Sequence, residues 1–513
     1  MIGVFILKNK FMNRVEQKLL VWQTELFKTL EFSFVKKMLK QFPQAKIYLV
    51  GGAVRDDLIE RSTKDFDFVV AKVAAKELEK FLSELGEVNL VGKSFGVFKF
   101  VPKGFHVGEN NFEAIDIALP RTEVAGMSGG YKDFEVQSDK DLPIEKDLLR
   151  RDFTINALAW DITKGELIDL FGGVADLNKK IIRAIGNPKQ RFQEDYTRML
   201  RAIRLACQLD FVIETATYEE IKKKAKKIKT IATERINEEF VKIIMSNRAE
   251  EGIRMLQEIN LLKELIPELA DAVGVSQNRH HIYDVFEHSV RALGAASKRG
   301  YKLEVRLAAL LHDIGKPLTK SGQGINATFY NHDIVGAKLV KKILKRLSFS
   351  NDITDYVAHL VRYHMFYYAI DTVSDSGVRR LLARMGKDNI DDFINLRICD
   401  RLGMGRPKAK PWKLVELERR FKEVQLDPIT PKMLLLKGDE LMKLLNIAPG
   451  PRVGLILNAL LGEILEDPQK NRHDYLVERA LQLHQLSDNE LKKLNPDIKF
   501  YEEERKRILH QEK

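Results

Sequence analysis

A chain of 513 residues, at roughly 100–200 residues per domain, is long enough to hold several domains. With 44% apolar and 31% charged residues it is no disordered chain, and no apolar run reaches the roughly 18 residues that span a bilayer, so no membrane association is expected. Lys and Arg number 85 against 73 Asp and Glu, and the resulting charge of +12 hints at an anionic partner such as nucleic acid.

The opening MIGVFILKNK has too short an apolar stretch and no small-residue cleavage site, so it does not read as a secretory signal. Two cysteines, Cys207 and Cys399, make no disulfide framework and fit a reducing, cytoplasmic compartment. The first 46 residues read as helical, with apolar positions at helical spacing through FKTLEFSFVKKMLKQF. Four short runs follow: IYLV (47–50), FDFVV (66–70), FKFV (98–101) and AIDIAL (114–119). They predict strands of one mixed sheet, with a helix near 73–85. From about residue 180 onward nearly everything reads as helix, interrupted at GNP (186–188), SQNRHH (276–281), KSGQG (320–324), GRPKAKP (405–411) and APGPRVG (448–454). The fold class is therefore α+β, a small mixed-sheet head followed by a long all-α remainder divisible near 275 and 405.

The most informative stretch is LVGGAVRD (49–56) followed by KDFDFVV (64–70). A strand ending in Gly51-Gly52 where a helix begins leaves bare backbone N–H groups suited to phosphate. Asp65 and Asp67 stand two apart on a strand and so share a face. Their mutual repulsion invites a divalent cation, and hard oxygen ligands suit Mg²⁺. Asp116 in AIDIAL is a possible third carboxylate from a neighbouring strand. A Gly-Gly turn or an exposed aspartate pair is commonplace alone; the two in this order are not.

GGAVRD with DFD resembles the nucleotidyltransferase superfamily, specifically the class II tRNA nucleotidyltransferase (CCA-adding) and bacterial poly(A) polymerase family. The resemblance continues in family order through VGKSFGVFKF (91–100), IDIALPRTE (115–123), LLRRDFTINALAWD (148–161), LIDLFGGVADL (167–177) and RFQEDYTRMLRAIRLACQLDF (191–211). It implies a polymerase-beta-like head at 47–180 behind an N-terminal helical extension at 1–46. A helical neck at 181–275 and a helical body and tail at 406–513 would hold tRNA. It implies two Mg²⁺ on Asp65 and Asp67, clamping the NTP and the attacking 3′-hydroxyl, with Asp116 beside them. Gly51, Gly52, Arg55, Arg151, Asp152 and Asn156 would bind the ribose and triphosphate. Asp195 and Arg198, three apart and read as neighbours on one helix, would choose the base, with Arg201 and Arg204 adding positive charge. A carboxylate accepts from the exocyclic amine of C or A, whereas U and G present a carbonyl there and leave buried groups unpaired. Tyr196-Thr197 departs from the family pattern, which commonly has Pro after the acid pair.

A second constellation spans 276–405: His288 in HIYDVFEHSVRAL, His312-Asp313 in LAALLHDIGKP, His332 in FYNHDIVGA, His364 in LVRYHM and Asp400 in NLRICDRLG. It resembles the HD phosphohydrolase superfamily. That implies His288, His312, Asp313 and Asp400 as core ligands of a divalent metal of unspecified identity. His332 and His364 would complete a second position, and Lys316 would meet a phosphate. Asp333 stands where relatives often have Glu, and His280, His281 and His359 read as structural. The basic runs IKKKAKKIK (221–229) and KLVKKILKRL (338–347) are suited to RNA phosphates.

Together these features predict a template-independent enzyme adding CCA to tRNA from CTP and ATP, with possible phosphatase or 2′,3′-cyclic phosphodiesterase action at the histidine site. The alternatives are poly(A) addition, partial CC or A addition, or chiefly an HD phosphohydrolase with a nucleotide-binding head. No protein partner is evident.

Overall fold

Helix α1 (Ile2–Leu26) precedes α2 (Ser33–Gln41), where apolar residues at helical spacing bury Phe34, Val35 and Met38. The chain then runs through β1 (Lys46–Val50), α3 (Gly52–Leu58), β2 (Asp67–Ala71), α4 (Ala75–Leu85), β3 (Gly86–Val91), β4 (Val97–Pro102) and β5 (Ile115–Ala118). A hairpin of β6 (Arg121–Ala125) and β7 (Phe134–Ser138) makes its own two-stranded sheet; α5 (Ile144–Leu149), β8 (Leu158–Asp161), β9 (Glu166–Asp169) and α6 (Gly173–Lys179) follow. This computed structural model describes residues 2–91, 97–109, 112–125, 134–278, 282–365, 373–406 and 409–494. Part of the VGKSFGVFKF motif, His280, His281 and the charged C-terminal stretch lie outside them.

Seven strands form one mixed sheet in the order β3-β4-β5-β2-β1-β8-β9. The four expected strands are present, and β3, β8 and β9 join them. All four residues of β8 are buried, so LAWD lacks the alternation that betrays a strand. Antiparallel register sets Val50 opposite Asp67, and parallel register sets Asp67 opposite Asp116. The Gly-Gly turn and the carboxylates therefore meet at one end of the sheet. On one face Val50, Val69, Ala71 and Ala159 pack with Ile144 and Leu148; on the other, Phe68 meets Phe32 and Phe34. In the LIDLFGG motif, Asp169 accepts from the N–H groups of Gly173 and Val174 (2.7 and 3.0 Å), capping α6.

Beyond the sheet come α7 (Pro188–Glu194), α8 (Thr197–Leu209), α9 (Thr215–Lys224), α10 (Thr233–Ile244), α11 (Ala249–Glu258) and α12 (Leu261–Leu265). The lysine run does not stay on one helix: α9 ends at Lys224 and a 3₁₀ turn carries Ala225–Thr230. Lys222, Lys223, Lys226 and Lys227 are exposed there, while Lys229 pairs with Glu264.

The chain divides into two compact units, 1–265 and 266–513. The sequence reading set this boundary at 275. Segment 267–277 instead joins the second unit, because Val275 and Ala272 carbonyls accept from Val285 and Phe286, and Asp284 accepts from Gly274 N–H. That unit is helical: α13 (Pro267–Ala270), α14 (Val285–Lys298), α15 (Leu303–Leu311), α16 (Lys316–Thr319), α17 (His332–Arg346), α18 (Asn351–Arg362), α19 (Asp375–Met385) and α20 (Ile390–Gly403). It continues through α21 (Trp412–Val424), α22 (Gly438–Leu445), α23 (Pro451–Glu466), α24 (His473–His484) and α25 (Asp488–Lys493). Among the described residues no helix is long and apolar enough to cross a membrane.

Candidate active site and metal centre

All the head residues singled out in sequence line a single cavity of about 560 Å³: Gly51, Gly52, Arg55, Asp65, Asp67, Asp116, Arg151, Asp152, Asn156, Asp195, Arg198, Arg201 and Arg204. Gly51 turns the chain at φ +71°, and a Cβ there would lie 2.7 Å from Arg151 Nη1 and 3.4 Å from Asp67 Oδ2. The positive φ favours glycine, and a side chain there would also displace the Arg151 guanidinium. Asp65 lies just before β2 and Asp67 opens it. Burial first, then the charges of Asp65 and Asp116, push the Asp67 carboxyl up to about 6 although Arg151 opposes them. The oxygen donors gathered at this end fit a hard divalent cation such as Mg²⁺. Asp116 gives one oxygen to Lys99 Nζ at 2.8 Å.

A chain of buried polar contacts joins the cradle to the helices. Arg55 donates to Asn156 Oδ1 (2.6 Å), and Asn156 Nδ2 donates to Asp152 Oδ1 (3.0 Å). Arg201 Nε donates to Asp152 Oδ2 (2.8 Å). Burial alone would raise Asp152, but Arg201 and these donors outweigh it and hold the carboxyl well below the usual range. Arg201 and Arg204 both pair with Glu239 of α10, at 3.6 and 2.7 Å, so much of their charge is matched. Asp147, buried beneath the loop, pairs with Arg150 and Arg151.

The base-choice pair is not arranged as expected. Asp195 precedes α8 in an extended conformation (φ −150°, ψ 107°) and does not share that helix with Arg198. Arg198 is buried and donates to Glu194 (2.7 Å) and to the carbonyls of Arg191 and Arg150. Asp195 accepts from Thr197 N–H (2.9 Å) and from Arg235 of α10 (2.7 and 3.3 Å). Without a proline to open the helix, Asp195 itself satisfies a first-turn N–H. Met199, Ile203, Ala206 and Leu209 are buried, as the helical spacing predicts. Arg121, Arg150, Arg235 and Lys242 also line the cavity and escaped sequence reasoning, since a lone basic residue carries no local signal.

In the second unit the expected ligands converge. Asp313 links two groups of potential metal-binding atoms, His288–His312–Asp313 and Asp313–His332–His364, each within 4.8 Å. Its Oδ2 lies 3.3 Å from His288 Nε2 and from His312 Nε2; its Oδ1 lies 3.5 and 3.8 Å from His332 and His364. Asp400 lies 3.3 Å from His288. The Nδ1 atoms of His312, His332 and His364 face carbonyls of Ala309, Phe329 and Val361, which aims each Nε2 inward. Nε2 of His332 and of His364 is buried and makes no hydrogen bond. Burial holds His332 low and His364 well below the ordinary histidine value, so both stand neutral, the form that ligates. For His312 burial is outweighed by Asp313 and Asp400, which push it up to about 10. Lys316 points into the same cluster, bonded to Asp313 and Gln277 (2.7 and 2.6 Å). Asp333 sits aside, paired with Arg362, and His359 packs on Phe393 with its Nε2 at the Met385 carbonyl.

A glycine cradle, paired carboxylates on adjoining strands and a helix of basic residues over one cavity define a nucleotidyltransferase head, and the helical unit carries an HD fold. Comparison with known proteins agrees. Residues 47–183 match the poly(A) polymerase head domain, 210–273 a probable RNA- and SrmB-binding region of that polymerase, and 285–402 the HD domain. A CC-adding tRNA nucleotidyltransferase of Thermus thermophilus is 33% identical over 80% of this chain and 88% of its own length. An A-adding enzyme of Deinococcus radiodurans is 35% identical over 66% and 81%, and a multifunctional CCA protein of Neisseria meningitidis 33% over 71% and 84%. The chain belongs to the tRNA nucleotidyltransferase family and is a nucleotidyltransferase. A Bacillus stearothermophilus CCA-adding enzyme solved with CTP shares the fold, with a TM-score of 0.61 at 22% identity over 89% of this chain and 98% of that one.

Proposed function

We propose that the protein adds CCA to the 3′ end of tRNA from CTP and ATP, releasing pyrophosphate and using no nucleic-acid template. The observation that carries this is the single cavity where the Gly51–Gly52 turn, Asp65, Asp67, Arg151, Asp195 and Arg198 converge. Asp65 and Asp67 would hold Mg²⁺, which supplies Lewis-acid polarisation of the attacking hydroxyl and of the departing pyrophosphate when bound. The Gly51 turn and Arg151 bind the triphosphate, while Asp116, tied to Lys99, flanks Asp67. Arg55, Asn156 and Asp152 hold the loop that carries Arg151. Asp195 accepts from the exocyclic amine of C or A, and Arg198 donates to the acceptor beside it. Exposed lysines at 222–227 take phosphates of the tRNA, so affinity falls as salt rises.

The names of two relatives favour a second reading, addition of CC or of A alone. One experiment separates the outcomes: tRNA ending at its discriminator base, or at CC, is incubated with Mg²⁺ and each NTP singly, then with CTP and ATP. Growth by three nucleotides only with both, then arrest, supports CCA addition. Arrest after CC with both nucleotides, or A addition to the CC-ended tRNA alone, makes the enzyme partial. A long ladder with ATP alone makes it a poly(A) polymerase, and no extension removes the polymerase reading.

For the second unit we propose divalent metal-dependent hydrolysis of phosphates at RNA ends. His288, His312, Asp313 and Asp400 would hold one ion and Asp313, His332 and His364 another, with Lys316 against the phosphate. Release of phosphate from a 3′-phosphorylated RNA, or opening of a 2′,3′-cyclic end, lost in His312→Ala, tests it.

A further inference from the structure

The two base-reading groups have separate anchors, and one of these is Arg235. We infer that Arg235 is a positioning residue for nucleotide choice, fixing the Asp195 carboxylate in the direction that meets the exocyclic amine of C or A. The inference rests on the reading that Asp195 and Arg198 select the base.

Asp195 lies outside the regular turns of α7 and α8, so helical backbone does not set its side chain. Three donors do: Thr197 N–H and Arg235 Nη1 on Oδ1 (2.9 and 3.3 Å), and Arg235 Nη2 on Oδ2 (2.7 Å). The two guanidinium contacts form a fork, which fixes the carboxylate plane as a single contact does not. A carboxylate has about four acceptor positions, so these donors leave one, on Oδ2, for an incoming amine. Asp195 is 14% and Arg235 28% exposed in their side chains, so the pair is half-screened from water at the cavity wall.

The scaffold that holds Arg235 is itself tied to the site. One turn along α10 from Arg235, Glu239 is buried and pairs with Arg201 and Arg204 of α8. Residues four apart share a helix face, so α10 presents both anchors to the cavity together. Arg198, by contrast, is held by Glu194 and two backbone carbonyls, none of them on α10. Losing Arg235 therefore disturbs the acceptor arm and spares the donor arm. Without the fork the carboxylate keeps Thr197 N–H alone, and nothing holds its plane. The signature is selective: rejection of UTP against CTP, and of GTP against ATP, weakens, while tRNA and triphosphate binding hold.

The test is single-turnover addition by Arg235→Gln, Arg235→Lys and Asp195→Asn, with each of the four NTPs. Melting of each variant is followed in parallel. We expect the CTP-over-UTP preference of Arg235→Gln to fall about tenfold to a hundredfold, as misplacing a contact by about 1 Å does. The KM for CTP should rise with the KM for tRNA unchanged. Arg235→Lys, keeping the charge without the fork, should recover only part of the preference. If Arg235→Gln does not fold, the lysine variant carries the test, because full preference in it overturns the role of the fork. Should Asp195→Asn lose the preference while Arg235→Gln keeps it, or slows all four nucleotides equally, this inference fails and the base-reading assignment stands. Should Asp195→Asn keep the preference, that assignment fails and the inference with it.

Discussion

Replacing Asp67 by Asn should stabilise the metal-free head. Burial and the charges of Asp65 and Asp116 push this carboxyl up to about 6, against about 4 for an ordinary aspartate. A gap of about two pH units corresponds to about 3 kcal/mol against the charged form, at about 1.4 kcal/mol per unit. Asp67 is half-buried, so solvent screening lowers this to about 1–3 kcal/mol. Because the folded value lies above the unfolded one, the cost is absent below about pH 4, grows between about pH 4 and 6, and is complete above that. Asparagine removes it at every pH, and Arg151 keeps Asp147 as a partner. For a unit of this size the gain corresponds to roughly 3–10 °C in melting temperature at pH 8. The readout is fluorescence of Trp160, fully buried in β8, during thermal unfolding without metal. Mg²⁺ should raise the wild-type melting point and leave Asp67→Asn nearly unmoved. A variant that melts at or below wild type at pH 8, or an advantage equal at pH 4 and pH 8, would refute the reasoning.

Asp65→Ala is expected to lower nucleotide addition by about 10³-fold or more while sparing phosphate release, and His312→Ala to do the reverse; loss of both activities in either variant would show the two sites to be dependent. Gly51→Ala places a Cβ 2.7 Å from Arg151 Nη1 at a positive φ, so strain of about 1–3 kcal/mol should cut kcat/KM for CTP about tenfold to a hundredfold, measured by primer extension. Asp152→Ala leaves half-buried Arg201 without its main carboxylate and, with solvent screening allowed for, should destabilise the head by about 1–3 kcal/mol, read as denaturant midpoint. Elemental analysis should find two divalent ions per HD unit in the wild type and one in His364→Ala, since only the second group of ligands loses an imidazole.

Much of this protein was legible in its linear order. The DFD spacing suggested two carboxylates sharing a strand face, and although Asp65 lies just before β2 both line the cavity, while a Gly-Gly turn at a strand's end needs no distant partner to explain it. The clustered histidines and aspartates were legible by resemblance, with His288, His332 and Asp400 on helices and His312, Asp313 and His364 just past helix ends. Strand β8 was not, because burial on every side erases alternation. Tertiary structure alone decided which charges pair. Sequence spacing made Asp195 and Arg198 neighbours, but the chain bends between α7 and α8, and Glu194 takes Arg198 while Arg235, forty residues on, takes Asp195. It also decided that Asp116 stands beside Asp67 through parallel strand register, and that the two oxygens of Asp313 face different histidine pairs. The physical reason is one of range. Backbone periodicity fixes which way a side chain points, whereas an ion pair forms wherever folding brings opposite charges within about 4 Å, and among 158 charged side chains local order cannot choose.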